Sequence, residues 1–275
     1  MRPISTSSVI ATALSLSLPS LLLLFPTLAS AETVWATPHE SYSSSVGVLG
    51  CKIDTDRVAY WPASVDCDNI CVSLSYEGRT LYLLRIDQSG GAHDVSYDAW
   101  NTLVTGASAT KDPTAGGAIA METENVPVDK CKPLLNKAGG KFPLSASNSM
   151  NFLASCLTDK PDSFVAKNYQ LYNIQDPICT WGIDEKCTLD WPERNQATCP
   201  KGLGTPSALT DAPVWNVQYP TGKHVLAGAP PEAPAAGTPG TAGASKNAAG
   251  RARRLSAEAL GLSAAVVAYS LLYVL

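Results

Sequence analysis

The sequence predicts a mainly β fold, and three observations carry that reading. The run Thr80–Ile86 is apolar on both faces, because Thr80, Tyr82, Leu84 and Ile86 alternate with Leu81 and Leu83. A strand with no solvent face belongs at the centre of a sheet or in a small closed barrel. Around it lie further short strand-like runs separated by Gly, Pro, Ser and Asp clusters, as in all-β folds. Third, the chain carries eight cysteines (Cys51, Cys67, Cys71, Cys131, Cys156, Cys179, Cys187 and Cys199), an even count that points to disulfides.

The chain of 275 residues begins and ends with segments set aside before fold reasoning. After Arg2 an apolar stretch broken by Pro19 and Pro26 closes on Ala29-Ser30-Ala31, a small-x-small cleavage site. Residues 1–31 therefore read as a signal peptide, with Glu32 starting the mature protein. At the other end, Ala227–Gly250 is almost wholly Ala, Gly, Pro, Thr and Ser, which cannot bury a core. Residues 251–275 add arginines and a terminal apolar tail, the pattern of a lipid-anchor attachment signal. Asn247 fits as the attachment residue, with Gly243 and Ser245 as alternatives. A spanning helix is the rival, but it would put Arg251, Arg253 and Arg254 on the wrong side of the membrane. The expected location is the cell surface, anchored to the plasma membrane or transferred to the wall.

In order, Glu32–Ser45 is polar and reads as an extended lead-in. Val46–Ile53 and Arg57–Trp61 read as strands around the Asp54-Thr55-Asp56 turn. Val72, Leu74 and Tyr76 alternate with Ser73 and Ser75, a strand with one wet face that forms a hairpin with the central run through Glu77-Gly78. After Asp87 comes the flexible Ser89-Gly90-Gly91. Ser96 then caps a short helix with Asp98 in its first turn, and Gly106 closes it. Ala118–Thr123 is the closing strand. From Lys132 on, Ser145 or Ser147 caps a helix through Met150–Cys156. Beyond it, six prolines between Pro161 and Pro213 allow only short elements. Residues 133–226 thus read as a disulfide-stapled, loop-rich extension, with pairing expected within each half. A Cys67–Cys71 bridge is the least favoured, because its small ring strains disulfide geometry.

The pattern strand–Asp87–Gly-rich loop–Asp94-Val95-Ser96–x–x–Ala99-Trp100 resembles the signature of double-psi β-barrels, the group of barwin, expansins, rare lipoprotein A type transglycosylases and a class of endoglucanases. The match covers residues 46–132. It implies a six-stranded double-psi β-barrel with short helices. Expansins and their endoglucanase relatives read His-Phe-Asp, whereas this chain reads His93-Asp94 with nothing between. The resemblance places Asp94 at the acid position and Asp87 as its neighbour on the barrel rim. The endoglucanases add an acid within a Tyr-Trp-Asp-type motif that has no match here, although Asp54 and Asp56 lie in that part of the chain.

Glycoside cleavage needs a carboxyl that protonates the leaving oxygen, and hydrolysis a second carboxylate. Asp94 and Asp87 are therefore the catalytic candidates. The bland alternative is that an Asp at a strand end bonds loop amides and holds a turn. Tyr60, Trp61, Tyr97 and His93 are the candidate ligand contacts, because aromatic rings stack on the C–H faces of sugars. Trp100 stands at a core position.

Zinc is disfavoured: no Cys-x-x-Cys pair occurs, and His39, His93 and His224 do not cluster with the cysteines. No cofactor is implied. Copper-dependent oxidation of polysaccharide needs a histidine at the mature N-terminus, which is Glu32. There is no Gly-x-Ser-x-Gly nucleophile motif. A net charge of −4 argues against nucleic acid. The sequence therefore points to a monomeric surface protein that binds wall polysaccharide (chitin, β-glucan or cellulose) without hydrolysis. The alternatives are a glycoside hydrolase or lytic transglycosylase with Asp94 as general acid, and a secreted effector or protease-inhibitor-like module.

Overall fold

A computed structural model describes residues 31–229. Residues 1–30, read as most of a signal peptide, and residues 230–275, read as linker and anchor signal with Asn247, lie outside these residues. Six strands close a barrel: β1 (Glu32–His39), β2 (Val58–Trp61), β3 (Cys71–Tyr76), β4 (Arg79–Gln88), β5 (His93–Ser96) and β6 (Ile119–Asn125). Their order is β1-β5-β2-β4-β3-β6. β1 runs parallel to β5 and β2 to β4, and the other four pairings are antiparallel. This is the mainly β, six-stranded closed barrel that the sequence leads one to expect.

The hairpin between β3 and β4 turns through Glu77 and Gly78, both with positive φ (46° and 76°), the geometry that matches the twist of its strands. Helix α1 (Tyr97–Thr105) follows β5 directly and ends on Gly106 in the left-handed region. Ser96 sits at its N-cap, but its hydroxyl donates to the Asp56 carbonyl and caps no helix N–H, which corrects the expected cap.

The lead-in predicted for Glu32–Ser45 is instead barrel strand β1 as far as His39. Val34 and Ala36 point inward and alternate with Trp35, Thr37 and His39. The strand expected over Val46–Ile53 is reduced to a single bridge, Val48 to Leu144, and a 3₁₀ turn over Gly50–Lys52. In this turn Gly50 packs against the Tyr42 ring, leaving no room for a Cβ.

Two apolar clusters organise the molecule. One fills the barrel: Val34, Ala36, Ala59, Trp61, Val72, Leu74, Leu83, Val95 and Met121, with Ala99, Trp100 and Leu103 of α1. The other covers the outside of β2 and β4, where Val58, Tyr60, Leu84 and Ile86 meet side chains from the second half. That half consists of β7 (Phe142–Ser145), α2 (Met150–Asp159), α3 (Phe164–Asn168), β8 (Tyr169–Ile174) and β9 (Gly182–Cys187), then the hairpin β10 (Trp215–Val217) and β11 (His224–Leu226). Strands β7, β8 and β9 form a three-stranded sheet. Phe142, Leu144, Leu171 and Ile174 of this sheet, with Leu153 of α2, belong to the shared core.

The disulfides follow this packing and overturn the expected pairing within halves. Cys71–Cys131 and Cys187–Cys199 stay within a half, but Cys51–Cys179 and Cys67–Cys156 tie the halves together. The cause is the covered outer face: Cys51 and Cys67 lie on segments that pack against the second half, so their nearest thiols come from there.

Candidate functional site

Four strands place one residue each in a row across the outer face: Thr37 on β1, Asp94 on β5, Tyr60 on β2 and Asp87 on β4. Residues paired directly across strands share a face, so the row collects two carboxylates, a hydroxyl and a phenol. With strands about 4.8 Å apart, Asp94 and Asp87 are two strands removed, and Tyr60 stands between them.

The two carboxylates differ in their surroundings. Asp87 is buried and accepts hydrogen bonds from the hydroxyls of Ser43 (3.1 Å) and Ser45 and from the Gln88 N–H (2.8 Å). It pins the loop between β1 and β2 and has little capacity left for a ligand. Asp94 is only partly buried, and Thr37 Oγ1 donates to its Oδ1. Its other oxygen receives no hydrogen bond among the described residues.

Tyr60 is buried beneath the second half, and its ring packs at 4.7 Å from that of His39. Burial, more than the nearby Asp87 and Asp94, pushes its phenol well above its ordinary range. Trp61 is buried in the barrel core, so neither residue of the Tyr60-Trp61 pair offers a stacking face. The alternation that should leave one of them wet fails because both faces of β2 are covered. Tyr97 is buried too: its hydroxyl donates to the carbonyls of Thr114 and Pro220, and Tyr219 packs edge-on against its ring. Trp100 is fully buried, as its position suggests.

His93 precedes Asp94 on β5 and therefore points to the opposite face. Its ring meets Trp61 edge-on at 5.1 Å, and burial, with Arg85 nearby, lowers its pKa below the usual imidazole value. It points away from Asp94, although the Asp94 charge still acts on it and opposes the lowering.

The sequence reading missed what β1 supplies. Trp35 is 64% exposed and shares the outer face with Thr37 and His39. Successive same-face residues on a strand are about 6.6 Å apart, so the indole lies one step along β1 from the Thr37–Asp94 pair. The alternation Val34-Trp35-Ala36-Thr37 was the available signal. Chemically, the strip offers one apolar ring face beside one open carboxylate and a hydroxyl.

No protein-family model matches this sequence, and no curated protein matches it. Two cerato-platanins from M. perniciosa resemble it in structure. Cerato-platanin 3 and cerato-platanin 2 are each 16% identical over 36% of this chain and 98% of their own, with TM-scores of 0.28 and 0.27. The barrel assignment rests on the strand order itself.

Proposed function

We propose that this protein sits at the cell surface and binds wall polysaccharide without cutting it, along the outer face of β1 and β5. The observation that carries the reading is the exposed Trp35 ring, aligned with the Thr37–Asp94 pair on one face. A sugar ring lays its C–H face on the indole while its hydroxyls donate to the free Asp94 oxygen, a charge-assisted bond stronger than a neutral one. Hydrolysis by paired carboxyls calls for a second acid free to act. On this face that acid would be Asp87, which is buried and holds three donors. The secretory leader and anchor signal read from the sequence supply the surface location.

The test is a pull-down of the full-length protein on insoluble chitin, β-glucan and cellulose, with reducing-end release followed in parallel. The expected result is retention on one of them without release, weakened about tenfold by Trp35→Ala (about 1.4 kcal/mol) and weakened also by Asp94→Asn. Release of reducing ends that disappears in Asp94→Asn would replace the binding reading with a glycosidase or transglycosylase. Retention unaffected by either substitution would remove this strip from the site.

A further inference from the structure

The hairpin β10–β11 is strapped beside the end of β1: Asn216 Oδ1 accepts from the Tyr42 N–H (2.9 Å) and Glu40 from the Tyr219 N–H (2.8 Å). Between this hairpin and the Asp54–Asp56 turn that feeds β2 lies a cleft of about 430 Å³. That volume is within the range of small-ligand sites, about 300–1,000 Å³. Its polar walls are Asp54, Asp56, Asn136, Lys137 and His224, and Trp215 forms its broad apolar wall.

Two features of the cleft are open to a ligand: a half-exposed ring and a carboxyl that accepts no hydrogen bond. Trp215 is 47% exposed, and its ring is tilted by 30° against that of His224 at 6.5 Å between centroids. A lone exposed tryptophan needs no explanation; this one forms a wall of a concave site. The carboxyl of Asp56, which also lines the cleft, receives no hydrogen bond or ion pair within 4 Å among the described residues. Only its backbone is engaged: the N–H by Asp54 Oδ1 and the carbonyl by Ser96 and Arg57. Arg57, the adjacent cation, is held by Asp98 at 2.8 Å instead. Partial burial, then the like charges of Asp98 and Asp54, push Asp56 up to about 6. Groups that lack partners in a preformed cleft are those a ligand satisfies.

The chemistry of the walls narrows the ligand. Two carboxyls disfavour an anion, and Lys137 with His224 disfavours a simple cation. An exposed indole in one cleft with hydrogen-bonding groups of both kinds suits a neutral, polyhydroxylated ring with one C–H face. We propose that this cleft is a second saccharide-binding site, in which a β-linked hexopyranose stacks on Trp215 and gives its hydroxyls to Asp54, Asp56 and Asn136. The site is built from other residues than the Trp35–Asp94 strip; the choice of β-linked sugars rests on the proposed binding of wall polysaccharide.

The experiment is calorimetric titration of the full-length protein with soluble hexasaccharides of β-1,4-glucose, β-1,3-glucose and β-1,4-N-acetylglucosamine. The variants are Trp215→Ala, Trp215→Phe, Asp56→Asn and Trp35→Ala, each checked for a cooperative thermal transition no lower than that of the wild type. The expected result is binding of at least one hexasaccharide, about tenfold weaker in Trp215→Ala, largely restored in Trp215→Phe, and weakened severalfold in Asp56→Asn. In Trp35→Ala a component that requires Trp215 should persist. Wild-type protein that binds none of the three overturns the proposal. So does affinity that Trp35→Ala abolishes and Trp215→Ala leaves untouched, a result that would keep the β1 strip and remove this cleft.

Discussion

The two faces of strands β2 and β4 are equally buried, but they are buried by different parts of the chain. Inside the barrel, Ala59, Trp61 and Leu83 share a cluster drawn mainly from β1, β3, β5, β6 and α1, with Val217 of β10 as the buried residue from the second half. On the outside, Val58, Tyr60, Leu84 and Ile86 meet Phe142, Leu144, Leu171 and Ile174, from well beyond the barrel. A closed barrel by itself accounts for only one of these faces. The difference teaches that the second half is no appendage: it supplies the cover for the barrel's outer wall, and without it that wall would be an exposed apolar patch.

The sharpest way to break this comparison is to remove the cover. A fragment of residues 31–132 loses the partners of Val58, Tyr60, Leu84 and Ile86 and leaves Cys51 and Cys67 without their disulfide mates. At about 1.5–3 kcal/mol for each large apolar side chain exposed, the loss is comparable with the whole stability of a domain, about 5–15 kcal/mol. The expected outcome in urea is no cooperative unfolding transition. A fragment that unfolds cooperatively would show that the inner core suffices. Next in size is the double substitution Cys67→Ser with Cys156→Ser, which opens a link closing 89 residues. Loss of about 2–4 kcal/mol is expected, seen as a lower urea midpoint. The same change at Cys187 and Cys199, which span only 12 residues, should cost less.

Asp87 and Asp94 sharpen the comparison on a smaller scale, since they share a row but only Asp87 belongs to the buried seam. Asp87→Asn replaces an acceptor of three hydrogen bonds with a group that cannot serve all three donors. It should cost about 1–3 kcal/mol, measured by chemical denaturation. Asp94→Asn should change stability by less than about 0.5 kcal/mol while altering polysaccharide retention. Equal stability losses would place Asp94 in the seam as well.

Local pattern made much of the barrel legible: the hairpin around Glu77-Gly78, the central strand, the short helix closed by Gly106 and the last barrel strand all follow from it. What was not legible depends on residues far away. Cys51 and Cys179 are separated by 128 positions, and no spacing rule links them; their pairing follows from how the second half folds back. The burial of both Tyr60 and Trp61 has the same origin. β1 is a different case, because Val34 and Ala36 alternate with Trp35 and Thr37 over too short a stretch to stand out beside Glu32, Pro38 and Glu40. Missing it left the exposed ring of Trp35 out of the aromatic candidates and put them on Tyr60, Trp61 and Tyr97, which are buried. The opposed directions of His93 and Asp94, by contrast, follow from strand alternation alone once the two are adjacent.

The seam that is closed around Asp87 is open around Asp56, and the smallest predicted effect tests that opening. Partial burial, with Asp98 and Asp54 nearby, raises the Asp56 carboxyl to about 6 in the folded protein, against an ordinary value near 3.8 when unfolded. Between those two values the folded protein holds a proton that the unfolded chain has released. Stability from this group is therefore fully present below about pH 4 and lost as pH rises through about 6. A shift of that size corresponds to at most about 3 kcal/mol, and water in the cleft screens it, so about 1–2 kcal/mol is expected. Asp56→Asn removes the charge that must be accommodated. The variant should thus be more stable than wild type by about 1–2 kcal/mol at pH 7 and match it at pH 4, as read from urea midpoints. Asp54, Asp98, Arg57 and His224 are common to both proteins, so the difference between their pH profiles isolates Asp56. A gap of the same size at both pH values would mean that the Asp56 carboxyl is as well solvated as an exposed one and that the seam is no more than open surface there.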